Sequence, residues 1–158
     1  GNHLPPFFIK YYSIIQYILT MALIAVLEFG DNNIERYSQR YLLTECKFMF
    51  DRSYNEFRPE GAARCQRVEV VLPAPGKQDL NLFEWYSSQG VQSGRIVITL
   101  SGGGSGPENS ETQVLNFEDA TCFSLCEYYD ISSSRRRLLR LGISADMISV
   151  DSVFFKHR

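Results

Sequence analysis

Histidine is nearly absent. Only His3 and His157 occur in 158 residues. Nucleophilic catalysis needs a base beside the nucleophile, and neither imidazole is placed to serve Cys46, Cys65 or a serine. Cysteine is sparse as well: Cys46, Cys65, Cys122 and Cys126. An even count permits disulfides, yet nothing else resembles a disulfide-dense secreted module. Cys122 and Cys126 stand four apart and miss the CxxC spacing of a zinc knuckle, and the histidines are too few to complete a ligand set. The thiols read as small buried hydrophobes in the reduced state. On a strand, the even spacing of Cys122 and Cys126 predicts that both share one face. No catalytic, metal or cofactor residue is assigned, and no cofactor is expected.

Charge of one sign is also missing. Sixteen Lys and Arg stand against eighteen Asp and Glu, for a formal net charge of -2. That balance gives no basic field for nucleic acid or an anionic membrane, and neither is expected as a partner. The Gly/Ser run at 101–106 lacks the closing Gly-Lys-Ser/Thr of a phosphate loop. Pro107 and Glu108 follow it instead, so it reads as a flexible connector. The basic run Arg135, Arg136, Arg137 is short and reads as a solvated strand end or a contact to an acidic partner. Glu118 and Asp119 are strand neighbours that point to opposite faces, so they do not form a catalytic pair.

What is present suits one domain. The length is that of a single domain, and such a chain buries roughly 70% of its unfolded surface. Composition is 44% hydrophobic and 22% charged, with 11 Phe and 9 Tyr, and these aromatics favour strands. The run 4–29 is strongly apolar, with Lys10 its only cation. Ser13, Gln16 and Thr20 interrupt it, which disfavours a membrane anchor, and no A-x-A site follows for a signal peptide. The favoured reading makes Met21 the start and residues 1–20 an upstream extension, with Gly1 as a tag scar. If the extension folds, its Tyr, Ile and Leu content suits a short amphipathic helix. The division is thus 1–20 as extension and 21–158 as the domain.

From residue 22 the pattern is strand, turn, strand. Residues 22–29 form an apolar strand ended by Gly30-Asp31-Asn32-Asn33. Residues 34–50 resume with a bend near Ser38. Leu42, Cys46, Phe48 and Phe50 are placed on one face, with Thr44 a tolerated break on it. Residues 51–64 are polar, hold Pro59 and Gly61, and show no period, so they read as a long loop of the kind that carries function. Residues 67–72 alternate. Asp79 is expected to cap a helix over 80–89 that Gly90 stops. Leu82, Phe83 and Tyr86 form its stripe, with Trp85 close by. Further strands are expected over 95–100 (Ile96, Ile98 and Leu100 inward), 113–118 and 121–129 (joined at Asp119-Ala120), and 137–145 (Leu139, Leu141, Ile143 and Ala145 aligned). A hairpin over 147–150 and 153–156 finishes the chain. The fold class is mainly β, a sandwich or barrel with one flanking helix.

Four segments carry a resemblance. They are Asp79-Leu80-Asn81-Leu82-Phe83-Glu84-Trp85, Ser93-Gly94-Arg95-Ile96-Val97-Ile98, Leu115-Asn116-Phe117-Glu118-Asp119-Ala120-Thr121-Cys122, and Ile143-Ser144-Ala145-Asp146-Met147-Ile148-Ser149-Val150. In order and spacing they resemble the haemolysin-coregulated protein family (Hcp, TssD), in its divergent Bacteroidetes form. The resemblance implies a small two-sheet β-barrel whose copies close into hexameric rings. It implies that the rings stack into the hollow inner tube of type VI secretion, formed in the bacterial cytoplasm and expelled by a sheath. Sheath, baseplate, spike and effectors are the implied partners. In the family the long loop after the second sheet segment contributes to stacking. Here that region is 51–64, with Arg52, Glu56, Arg58 and Glu60 as charged contacts. The extension, the Gly-rich connector and the arginine run depart from the family pattern. The alternative is a monomeric β-barrel that binds a small ligand or peptide in an apolar interior. An enzyme would need a polar cluster that the pattern does not offer.

Overall fold

Strict alternation of apolar and polar residues can bury only one face of a strand, so strands of this kind must pair and then face another layer. The computed structural model describes residues 22–55, 58–101, 110–132, 136–151 and 153–156. The expected extension 1–20, the connector 102–109, Glu56, Arg135 and both histidines lie outside the described residues. Among the described residues nine strands and one helix follow in order: β1 Leu23–Asp31, β2 Arg36–Leu43, β3 Glu45–Asn55, β4 Arg58–Pro73, α1 Asn81–Ser88, β5 Gln92–Ser101, β6 Ser110–Asp130, β7 Arg136–Ser144, β8 Met147–Val150 and β9 Val153–Lys156. Every pairing is antiparallel.

The first sheet runs β2-β1-β5-β6-β8-β9 and the second β6-β7-β4-β3. β6 belongs to both. Its first half pairs β5 up to Ala120, and its second half pairs β7 from Thr121. The expected break at Asp119-Ala120 is therefore a corner within one strand. Asp119 turns it with φ 50, a left-handed conformation that Asp tolerates better than most residues. The second corner is Thr44, the single residue between β2 and β3, whose N–H donates to Val71 O at 2.8 Å. Strands that switch sheets in this way make the corners of a two-layer barrel. The path of paired strands stays open between β2 and β3, so the closure there is covalent.

Inward residues of both sheets form one core. Leu27, Phe29, Ile96, Leu115, Phe117 and Ile148 come from the first sheet, and Val68, Val70, Leu72, Leu139, Leu141 and Ile143 from the second. Ile96, Leu139, Leu141, Ile143 and Ala145 are buried as expected, whereas Leu100 lies exposed at the strand's end. The corners overturn two facing assignments. The step at Thr44 changes parity, so Tyr41 and Leu43 are buried and Leu42 is 61% exposed. Phe50 is exposed too. A bulge between Cys122 and Ser124 does the same to β6. Cys122 is buried and Cys126, opposite Arg140, faces out. Bulges insert one unpaired residue, so a period of two read through them comes out inverted.

The helix closes one side of the barrel. Its first position is preceded by Leu80, which offers no capping side chain. Asp79, one residue earlier than a cap, accepts from Asn81 N–H at 3.1 Å and from the Tyr41 hydroxyl at 3.0 Å. The left-handed residue at the C-terminus is Gln89, φ 54, rather than Gly90. Leu82 and Trp85 point inward, three residues apart. Phe83 packs at the margin and Tyr86 is exposed, so the stripe runs one position off the expected one.

Candidate assembly surfaces

β4 is sixteen residues long, yet β7 pairs it only over Val68 to Pro73. The preceding part, with the end of β3, is a two-stranded ribbon. Phe50 pairs Cys65, Asp51 pairs Arg64, Ser53 pairs Glu60, Tyr54 pairs Pro59 and Asn55 pairs Arg58. The region expected to be a long loop is thus a hairpin arm with two irregularities, at Met49/Phe50 and Asp51/Ser53. At about 3.4 Å per residue, the β3 side of the ribbon extends roughly 20 Å past the body. Arg52 lies on β3, and Arg58 and Glu60 on β4. A two-stranded ribbon alone is marginally stable in water, and among the described residues no third strand pairs with its outer edges.

At the opposite end of the second sheet, the turn after β6 exposes another surface. Ala74 N–H donates to Arg137 O at 2.9 Å, which ties the end of β4 to the start of β7. Next to that tie, a cleft of about 410 Å³ is lined by Tyr129, Asp130, Ile131, Arg136 and Arg137. Ile131 is 81% exposed and Tyr129 63%. Arg137 donates to Glu127 from the adjoining strand. That bond, with one from the Tyr129 hydroxyl at 3.0 Å, holds the Glu127 carboxyl below its usual range.

The outer face of the first sheet carries two adjacent rows. Leu42, Val26, Val97 and Val114 stand side by side across four strands. Beside them run Arg40, Glu28 and Arg95. Glu28 is only 6% exposed and sits between Arg40 and Arg95, each at 3.4 Å. The Arg95 guanidinium lies 4.1 Å over the Tyr37 ring. The Tyr37 hydroxyl donates to Asn32 Oδ1 at 2.8 Å. Asn32 Nδ2 in turn reaches Gly94 O at 2.9 Å and Glu118 Oε1 at 2.9 Å, so the β1–β2 turn is pinned across three strands. Pattern reading missed this network. Its one signal was Glu28, an acid of outward parity inside an apolar strand.

Burial alone accounts for the perturbed thiols. Cys46 is pushed up to about 12, and Cys122 to about 11 although the Ser124 backbone pulls it the other way. At neutral pH both are protonated and poor nucleophiles. Burial, reinforced by Asp79, raises the Tyr41 phenol to about 12. Among the described residues no group of three or more His, Cys, Asp or Glu side chains could hold a metal ion. No helix among them is long and apolar enough to cross a membrane. Glu118 is engaged with Asn32, while the Asp119 N–H takes Ser93 Oγ at 3.0 Å.

Comparison with known proteins identifies this architecture. The family described as Hemolysin coregulated protein Hcp (TssD) matches residues 21–158. No curated protein sequence matches the chain. Among solved structures, Hcp1 from Flavobacterium johnsoniae aligns with a TM-score of 0.61 at 18% identity, over 84% of this chain and 98% of that one. Hcp1 from an E. coli EAEC strain aligns at 0.58 and 5% identity, over 86% and 99%. Hcp1 from Salmonella typhimurium aligns at 0.53 and 9% identity, over 81% and 85%. Identities this low speak for the fold, and the family match speaks for descent. The chain belongs to the Hcp (TssD) family and is a structural subunit of the type VI secretion tube.

Proposed function

We propose that six copies close into a ring, and that rings stack head to tail into a hollow tube. The observation that carries this reading is the ribbon of β3 and β4, which pairs with no third strand among the described residues. A hairpin that leaves its own sheet gains stability when a neighbouring copy covers it. A contact between two different surfaces of identical chains is heterologous, and it builds rings where the rotation closes and filaments where it does not. On this reading Arg52, Glu56, Arg58 and Glu60 supply charged contacts between rings, each individually modest. The work is assembly rather than catalysis. Subunits assemble in the bacterial cytoplasm, meet sheath, baseplate and spike components, and leave through the apparatus with effectors in the lumen. Residues 21–158 act as the tube domain and 1–20 as an extension to it. The alternative of an interior ligand site is disfavoured by the packing. Phe117, Leu27, Ile96, Leu115 and Leu141 fill the space between the sheets with side chains.

Size-exclusion chromatography with light scattering tests this on the full chain. A species of six chains is expected. A strictly monomeric protein at high concentration, with residues 1–20 removed as well as present, contradicts the reading.

A further inference from the structure

β6 and β8 set four outward side chains side by side. Glu118 stands opposite Met147, and Asn116 opposite Ser149. Their neighbours Leu115, Phe117 and Ile148 are in the core, so these four point the other way. The β1–β2 turn adds Asn32 and Asn33, and the six residues line a cleft of about 370 Å³. Ligand sites span about 300–1,000 Å³. The turn is fixed in place. Asn32 Nδ2 donates to Gly94 O, Phe117 O and Glu118 Oε1 at 2.9, 3.2 and 2.9 Å, and Asn32 Oδ1 accepts from Tyr37. Asn32 is thereby fully used, whereas the other polar groups are not. Among the described residues no hydrogen bond engages the side chains of Asn33, Asn116 or Ser149, or the second oxygen of Glu118. Ser149 is only 8% exposed, and a hydroxyl so enclosed usually has a partner. The cleft carries one formal charge, from Glu118, and no arginine or lysine among the described residues lines it. Arg95, opposite Asn116 on β5, is turned to Glu28 and the Tyr37 ring.

We infer that this cleft binds the arginine side chain of a polypeptide partner, with the guanidinium against Glu118 and the alkyl stem along Met147. Glu118 repels an anion. A calcium ion takes about six to eight oxygens, and a single carboxylate gives it little charge to bind. Lysine brings a compact point charge, but the acceptors here are spread out. Asn116 and Glu118 stand about 7 Å apart along the strand, and cross-strand partners about 5 Å apart. A planar guanidinium carries several N–H donors in a fixed fork and meets a carboxylate and its neighbouring oxygens together. Met147 is the one apolar lining residue, and arginine lays its methylenes along such a surface. The site belongs to the single subunit, so it stands whether or not copies close into rings.

Saturation-transfer difference NMR on the full-length protein tests it, because the method reads weak ligands on large assemblies. The probe is N-acetyl-arginine methylamide. N-acetyl-citrulline methylamide, of the same shape without the charge, is the control. Saturation of the arginine methylenes is expected, with citrulline binding at least about ten-fold more weakly. Glu118→Gln keeps an oxygen for the Asn32 amide and removes the charge. It should raise the Kd for the arginine probe at least about ten-fold, as loss of a charge-assisted hydrogen bond does. Asn116→Ala should raise it about three-fold or more, the share of one neutral hydrogen bond. It decides the matter if circular dichroism shows that Glu118→Gln does not fold. No saturation of the arginine probe overturns the site. Equal binding of citrulline overturns recognition by charge. Binding that survives both substitutions lies elsewhere on the surface and overturns the assignment to this cleft. Light scattering on the same samples reads assembly separately, so rings without arginine binding overturn the cleft and leave the tube reading intact.

Discussion

Replacing Trp85 with Phe tests how the helix holds the barrel corner. Trp85 is 3% exposed and lies edge-on to Phe29, with ring centroids 5.2 Å apart. Its Nε1–H donates to Ala120 O at 3.0 Å, at the point where β6 passes from one sheet to the other. Phenylalanine keeps an aromatic body but removes the donor, leaving the Ala120 carbonyl unsatisfied in the core. That costs about 1–3 kcal/mol. The smaller ring gives up about 1 kcal/mol more of burial. Together the substitution destabilises by about 2–4 kcal/mol, or roughly 5–15 °C in Tm for a chain of this size. Urea titration followed by far-UV circular dichroism measures it without relying on the lost indole. Leu82→Ala is the control, since it opens a cavity costing about 2–5 kcal/mol while leaving the hydrogen bond in place. If Trp85→Phe costs less than about 0.5 kcal/mol, a value typical of the surface, the corner does not depend on the helix and the reasoning fails.

Other perturbations follow from single contacts. A Cβ on Gly142 would lie 2.7 Å from Phe123 Cζ. Gly142→Ala should therefore cost about 1–2 kcal/mol by overpacking, and at least half of that should vanish with Phe123→Ala in a double-mutant cycle. Alkaline stability follows from the raised groups. Cys46, Cys122 and Tyr41 titrate near 12, 11 and 12 in the fold, above their ordinary values. Their contribution is complete below about pH 9 and is lost as pH rises to about 12, because the unfolded chain releases these protons first. Tyr41→Phe should flatten the upper part of that fall in a pH series of urea midpoints. Unchanged curvature would contradict the burial assigned to the phenol.

The sequence was legible where burial imposes a period. Leu139, Leu141, Ile143 and Ala145 alternate because one face of β7 meets the core, and the helix shows itself by Leu82 and Trp85. The failures have two physical causes. Residues 51–64 read as a loop because their polar composition carries no period of two, although the backbone of 51–55 pairs with that of 58–64. Leu42 and Cys126 were placed on the wrong face because the Thr44 corner and the bulge after Cys122 invert parity without any distinctive residue to announce it. The four charged contacts at Arg52, Glu56, Arg58 and Glu60 were assigned to this stretch by resemblance alone. The cleft at Ile131 had no sequence signal, since an exposed isoleucine after a strand looks like any other turn residue until the fold sets it opposite the ribbon.

If two unlike surfaces of this chain drive its assembly into rings and stacks, electron microscopy of the negatively stained full-length protein at high concentration shows six-fold rings that stack with one polarity, every ring facing the same way. Monomeric particles would contradict it, and so would rings paired face to face.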